Sequence, residues 1–225
     1  MSKQYKGKNC AYCKAEKSET ADHVFPRELF LKNNRDGIPK VPACINCNND
    51  KSKLEHYLAT VLPFGGRHSD AAETLLNQVT KRLHRNKPLH QNLIDGVVPA
   101  WSPEDDGFEQ SSGLPLEWPK LEKWMSYVVR GLNIHHWDHH LTPDIEIKTY
   151  SLSYKNENYL MDLVAENRSI KVGNRTVEYV GFQTHENKNC TIWMMRLFGG
   201  IAVFSDEDPE ATVGQSIGVI TLPSK

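Results

Sequence analysis

Two short runs decide how this chain reads: Cys10-Ala11-Tyr12-Cys13 and Cys44-Ile45-Asn46-Cys47-Asn48-Asn49-Asp50-Lys51. Each opens with a C-x-x-C pair, and 30 residues separate Cys13 from Cys44. Two residues between cysteines let both sulfurs reach one ion from a tight knuckle. Four thiolates then complete the tetrahedral shell that structural zinc prefers. Disulfides are the weaker explanation, because the opening stretch MSKQYKGKNC has no apolar run of the export-signal kind. A redox dithiol needs only one pair, set in a thioredoxin-like βαβ context that the sequence does not show. The spacing therefore predicts a zinc site on Cys10, Cys13, Cys44 and Cys47. A shell closed by four thiolates has no open position, so that zinc holds the fold and chemistry falls to residues it organises. Cys190 has no partner, sits in an apolar run and reads as a core residue.

Between the knuckles lies Ala21-Asp22-His23-Val24-Phe25-Pro26. Val24 and Phe25 suit a strand, and Pro26 ends it. After the second knuckle, residues 48–62 read as a helix with Leu54, Leu58 and Val61 on one stripe, stopped by Leu62-Pro63-Phe64-Gly65-Gly66. The local order is knuckle, strand carrying Asp-His, loop, knuckle, helix.

In these residues the chain resembles the HNH nuclease superfamily, whose fold is a ββα-metal finger. The resemblance rests on C-x-x-C at 10–13, Asp-His at 22–23, C-x-x-C-N-x-x-K at 44–51 and the apolar helix that follows. It covers roughly residues 8–62. The variant it looks most like has asparagine at the last metal position, as in endonuclease VII-like members. The resemblance implies that His23 is the general base and that Asp22 and Asn48 hold a catalytic divalent ion. Lys51 matches a lysine one turn further along the helix. The middle asparagine of the superfamily has no counterpart in Ile38-Pro39-Lys40-Val41-Pro42-Ala43. That residue steadies the base histidine through the backbone in the family, so another group must orient His23. Asn33 and Asn34 are candidates across the loop.

The implied chemistry is coherent. Phosphodiester hydrolysis needs an activated water and stabilisation of the charge that builds in the transition state. Histidine titrates near neutrality, so it can serve as the base. A carboxylate with an amide oxygen suits Mg²⁺ or Mn²⁺ rather than a second zinc. Successive strand residues alternate faces, so Asp22 and His23 point to opposite sides. Blander readings stand beside these. Asn48 suits a helix N-cap as well as a metal ligand. Lys51, Ser52 and Lys53 form either a solvated helix face or, with Arg27, Lys32, Arg35 and Lys40, a set of phosphate contacts. Arg27, Lys51 and Lys53 are the DNA-contact candidates. Glu55 shares a helix face with Asn48 and is either a supporting group behind it or a surface residue; His56 reads as surface.

The remainder of the 225 residues is less distinctive. Ser69 to Asn86 predicts an amphipathic helix capped by Ser69, with Leu75, Leu76, Val79 and Leu83 on its apolar side. Its basic end (Lys81, Arg82, His84, Arg85, Lys87) suits either the helix dipole or a DNA backbone. Residues 88–118, with an acidic patch at Glu104-Asp105-Asp106, read as a linker. Pro119 to His140 predicts a second helix with Leu121, Trp124, Val128 and Leu132 buried. Its terminal His135-His136-Trp137-Asp138-His139-His140 is either a second metal site or an ordinary helix end. Strands are expected at 145–152, 176–184, 191–198, 201–204 and 217–222, with turns at Gly173-Asn174 and Gly199-Gly200. Residues 159–166 fit helix or strand.

The fold class expected is α+β: the ββα finger over 1–66, a helix and linker over 67–118, and helices with a mostly antiparallel sheet over 119–225. Charged residues make up 24% of the chain and no apolar run approaches the roughly 20 residues of a membrane span, which points to a cytoplasmic protein. The net charge of −1 is uneven. Residues 1–60 hold 11 Lys/Arg against 7 Asp/Glu, whereas residues 101–225 hold 11 against 18. A basic first part suits a polyanion. The reading is a divalent-metal-dependent HNH endonuclease acting on DNA, in a role such as restriction, phage defence, mobile-element homing or repair. Residues 119–225 would serve target selection, dimerisation or a partner protein. The rivals are a non-catalytic zinc finger that binds nucleic acid or protein, and a scaffold carrying a degenerate nuclease.

Overall fold

A computed structural model describes residues 4–104, 107–114, 116–152, 154–163, 167–201 and 216–223. The finger region forms a ββα unit. Strand β1 (Thr20–His23) pairs antiparallel with β2 (Lys40–Ala43), so that Asp22 faces Val41 and His23 faces Lys40. Helix α1 (Ile45–Val61) follows at once. Val24 and Phe25 lie just past β1 rather than in it. Both are fully buried, and Pro26 leads the chain into a 3-10 turn at Arg27–Leu29. Helix α1 starts three residues before the expected position. Cys44 is its N-cap, with Sγ accepting the Cys47 amide at 3.4 Å, so the capping role considered for Asn48 is taken by a cysteine.

Over the predicted helix 69–86 the chain forms α2 (Ser69–Thr74), a π turn (Leu75–Val79) and α3 (Thr80–Arg85). His68, not Ser69, is the cap: its Nδ1 accepts the Asp70 amide at 3.1 Å. The wide π turn breaks the 3.6-residue stripe, so Val79 is buried while Leu76 points to solvent. The stretch read as a linker is structured. Helix α4 (Lys87–Asp95) begins with Pro88 in its first turn, where the missing N–H is harmless. A two-stranded ribbon follows, β3 (Val98–Glu104) with β4 (Gly107–Gly113). Its prolines, Pro99 and Pro103, are tolerated because every strand of a two-stranded ribbon is an edge. Asp105 and Asp106 of the acidic patch lie outside the described residues.

Helix α5 (Trp118–Trp137) carries Leu121, Trp124, Val128 and Leu132 into the core and ends on Asp138 in the left-handed region. The sheet comprises β5 (Ile145–Leu152), β6 (Ile170–Val172), β7 (Val177–Gln183), β8 (Thr191–Leu197) and β9 (Ser216–Pro223). Its order is β5-β9-β8-β7-β6, antiparallel at each pairing. Helix α6 (Tyr154–Leu163) settles the ambiguous stretch as helix up to Leu163; residues 164–166 lie outside the described residues. Of the strand expected at 201–204, only Ile201 is described, and it bridges to Gly66. Cys190 is half-buried in the turn before β8 rather than in the core.

One apolar cluster runs through the molecule, from Cys10 and Cys44 of the knuckles through α1 and α5 to Trp193 and Val219 of the sheet. Its centre is α5, laid across the finger. A Cβ on Gly131 would meet Val24 Cγ2 at 2.9 Å, so only glycine admits this approach. A polar junction supplements it. The buried Asp70 carboxylate accepts from Asn34 Nδ2 at 3.0 Å, Asn174 Nδ2 at 3.1 Å and Thr176 Oγ1 at 2.9 Å, which ties the finger loop to the turn between β6 and β7.

At the end of α5, His136 stacks among Tyr179, Trp137 and Trp193 and pairs with the Tyr179 hydroxyl at 2.9 Å. Burial, then the neighbouring His135, lower its pKa to about 4. The unfolded chain protonates it near pH 6.5, so between about 6.5 and 4 the unfolded state binds more protons. Stability is therefore lost as pH falls through that window. With solvent screening this contributes about 1–2 kcal/mol. His135 and His140, also lowered by burial, add in the same direction. His136→Gln is expected to flatten the acid limb, read as a smaller difference between urea midpoints at pH 7.5 and 4.5. An unchanged difference would reject the assignment.

Candidate functional site

The first feature is the cysteine cluster. Cys10 and Cys13 come from a loop closed by the Cys10 amide on Glu16 O at 2.9 Å, and Cys44 and Cys47 from the start of α1. All five cysteines of the chain are free, and the four sulfurs of the knuckles lie within 4.8 Å of one another. Cys13 Sγ and Cys44 Sγ are 3.9 Å apart. A tetrahedron with metal–sulfur bonds of about 2.3 Å has sulfur–sulfur edges of about 3.8 Å, so the spacing fits. The amides of Tyr12 and Cys47 point at Cys10 Sγ and Cys44 Sγ, each at 3.4 Å, as suits thiolate acceptors. Burial raises Cys44 to about 12 and pushes Cys47 up as well, with the neighbouring sulfurs adding to the rise at Cys47. Burial also opposes ionisation of Cys13, but the Glu16 amide and the adjacent thiols bring it below its ordinary value. Four sulfurs packed this closely ionise together only around a cation. The cluster can hold a metal ion such as zinc, and the donor set fits that ion.

The second feature is a polar seam between β1 and α1. Thr20 and Asp22 share one face of β1, and Asn48, Lys51 and Glu55 share the face of α1 that meets it. Asn48 Nδ2 reaches Thr20 Oγ1 at 3.4 Å. Lys51 is 0% exposed. Its Nζ lies 3.0 Å from Asp22 Oδ2, donates to the His23 carbonyl at 2.8 Å and pairs with the Glu55 carboxylate. The Tyr12 hydroxyl donates to the same Asp22 Oδ2 at 2.5 Å. Burial raises the Glu55 pKa; Lys51 opposes that rise and Asp22 adds to it. The Trp124 indole N–H lies near Glu55 without closing a hydrogen bond.

This seam changes two expectations. Lys51 was a candidate DNA contact; it is sealed inside the finger and cannot reach a phosphate. Asp22 and Asn48 were expected to hold Mg²⁺ or Mn²⁺. As placed, Asp22 Oδ2 is taken by an ammonium and a phenol, and Asn48 turns to Thr20. Among the described residues the four cysteines are the one group of three or more His, Cys, Asp or Glu close enough to share an ion. The oxygens Asp22 Oδ2 and Asn48 Oδ1 therefore stand differently: the first is engaged within the seam, whereas the Asn48 contact to Thr20 is made through its Nδ2. The histidines at 135–140 likewise form no such group; His136 binds Tyr179 and His139 binds Asn189 Oδ1 at 3.1 Å.

His23 lies on the other side of β1, at the last rung of the ribbon. It is half-buried. Burial lowers its pKa, and Lys40 and Arg27 lower it further against the opposing pull of Asp22. The ring is thus neutral at neutral pH and free to accept a proton. Lys40, its cross-strand partner, and Arg27 are both exposed beside it. Lys53 is exposed and pairs loosely with Asp50 at 3.1 Å. Arg82 of the basic helix end is spent internally, on Ala59 O at 2.6 Å and Glu28 O at 2.9 Å, whereas Lys81, Arg85 and Lys87 are exposed.

Sequence reasoning gave Tyr12 no role and counted Lys40 only among the nearby cations. The signal for Lys40 was its place four residues before Cys44, which in a tight ribbon sets it opposite His23. The signal for Tyr12 was a large hydroxyl-bearing side chain inside a knuckle, where a partner within the finger is required.

No family model matches the chain, and neither the curated proteins nor the solved structures yield a match. Among the described residues no helix is long and apolar enough to cross a membrane.

Proposed function

We propose that this chain is an HNH-type endonuclease that hydrolyses phosphodiester bonds, with DNA as its partner. The observation that carries the reading is His23: a neutral, half-buried imidazole at the end of a two-stranded ribbon, beside the exposed cations Lys40 and Arg27. Its ring takes a proton from the attacking water. Lys40 and Arg27 hold the phosphate and offset the negative charge that grows in the transition state. Lys53 and the exposed Lys81, Arg85 and Lys87 extend the contact along the backbone. Products with 5′-phosphate and 3′-hydroxyl ends are the outcome the resemblance implies.

A divalent ion, Mg²⁺ or Mn²⁺, supplies charge neutralisation at the scissile phosphate in this class of site. Asp22 and Asn48 are the residues that would hold it, with Asp22 Oδ2 also engaged by Lys51 and Tyr12. The Asp22–Lys51 pair also favours a second reading, a non-catalytic finger held by zinc that binds nucleic acid. Supercoiled plasmid incubated with zinc-loaded protein in Mg²⁺, Mn²⁺ or EDTA separates the two. Nicking is expected. DNA binding in a gel shift with no nicking in any condition supports the second reading instead.

A further inference from the structure

We infer that Lys51 is a positioning residue that aims His23 by gripping its peptide carbonyl from inside the finger. An ammonium has three N–H donors and no acceptor. Three acceptors meet Lys51 Nζ: the His23 carbonyl at 2.8 Å, Asp22 Oδ2 at 3.0 Å and the Glu55 carboxylate. Two of these contacts are hydrogen bonds and the one to Asp22 is an ion pair, and the three partners come from the end of β1, a β1 side chain and α1 itself. The Tyr12 ring covers the ammonium at 5.8 Å, and its hydroxyl pins Asp22 from the knuckle. A lysine used for phosphate contact needs solvent around its tip; this one has none.

The arrangement has a mechanical consequence. β1 is four residues long and His23 is its last; the peptide that follows it donates Val24 N–H to the Pro39 carbonyl at 2.8 Å, and its other end, the His23 carbonyl, turns inward to Lys51. The bond from Lys51 fixes the peptide that carries the imidazole, while the ring itself faces away from the seam. Asp22 and Glu55 then serve as counter-charges that keep the ammonium in place. This assigns a joint purpose to a buried lysine with two carboxylates, which desolvation would otherwise disfavour. It also supplies what Ile38–Ala43 lacks, a side chain that holds the base through its backbone.

The activity readout rests on the nuclease reading above; a second readout does not. Lys51→Met strands two buried carboxylates and is at risk of unfolding, so it is paired with Lys51→Met/Glu55→Gln, which leaves only Asp22 charged and still bonded to Tyr12. In full-length, zinc-loaded protein, the double variant is expected to lose about 100-fold in kcat, the scale of a misplaced base, with KM for plasmid changed less than twofold. A phosphate-contact role would instead raise KM and reduce the salt dependence of binding. Independently of turnover, the His23 ring resonance, assigned with His23→Gln, is expected to broaden or shift toward the value of a free histidine. A folded double variant with an unchanged His23 resonance overturns the proposal whether or not the protein cleaves DNA. Wild-type protein that cleaves nothing, together with the expected change of the His23 resonance in the double variant, retires the nuclease reading and leaves the positioning role intact.

Discussion

Cys44→Ser is expected to abolish metal binding and to unfold the finger. Cys44 contributes three things at one position: a sulfur of the cluster, the N-cap of α1 and a fully buried core contact. Structural zinc bound by four thiolates is worth roughly 10–16 kcal/mol in small fingers, while whole domains are stable by only about 5–15 kcal/mol. Losing the ion therefore removes an amount comparable to the entire stability. The damage should spread, because Cys10 and Cys44 belong to the same apolar cluster as α5 and the sheet. The check is elemental analysis for one zinc per chain in wild type and none in the variant, alongside urea unfolding. A wild-type protein that carries no metal, or a variant with an unchanged midpoint, would sink the assignment. A strong thiol-competing chelator should reproduce the effect of the mutation on the wild-type chain.

The second large effect concerns His23. His23→Ala is expected to lower the rate of plasmid nicking by about 10²–10⁴-fold, the usual contribution of a positioned general base. That corresponds to about 3–5 kcal/mol of barrier. DNA affinity should hold within a fewfold, because Lys40, Arg27 and Lys53 keep their charges. The fold should hold too, since the bond from Lys51 reaches the backbone carbonyl at residue 23, which alanine retains. Rate, binding and zinc content measured on the same preparation separate these terms. A variant that nicks as fast as wild type removes His23 from the chemistry.

The knuckles and helices α1 and α5 were readable because their signals are local. Cysteine spacing placed the cluster, and the stripe Leu121, Trp124, Val128 and Leu132 placed α5 with its buried face. The long strands β5, β7, β8 and β9 announced themselves through β-branched and aromatic runs. The ribbon of β3 and β4 was missed because proline argued against strand, and proline is excluded only where both edges are paired. The three-residue β6 is too short to carry a pattern. Within the finger, the roles of Lys51 and Asp22 were hidden for a different reason. The sequence shows a lysine on a helix rich in polar residues, which usually means solvent. Only the packing of β1 on α1, with Tyr12 closing the end, turns that face inward.

The Asp70 junction carries a consequence for how the chain is made. Its carboxylate leaves the ribosome 104 and 106 residues ahead of Asn174 and Thr176, the partners it holds on the far side of the molecule. At roughly 5–20 residues per second that is an interval of about 5–20 s in which the Asp70 carboxylate holds Asn34 of the finger loop without its two later donors. Val24, which packs on Gly131, waits over the same period with its apolar surface uncovered. The finger is therefore finished last although it is translated first, and early termination anywhere before the β6–β7 turn releases a chain whose finger is not yet locked.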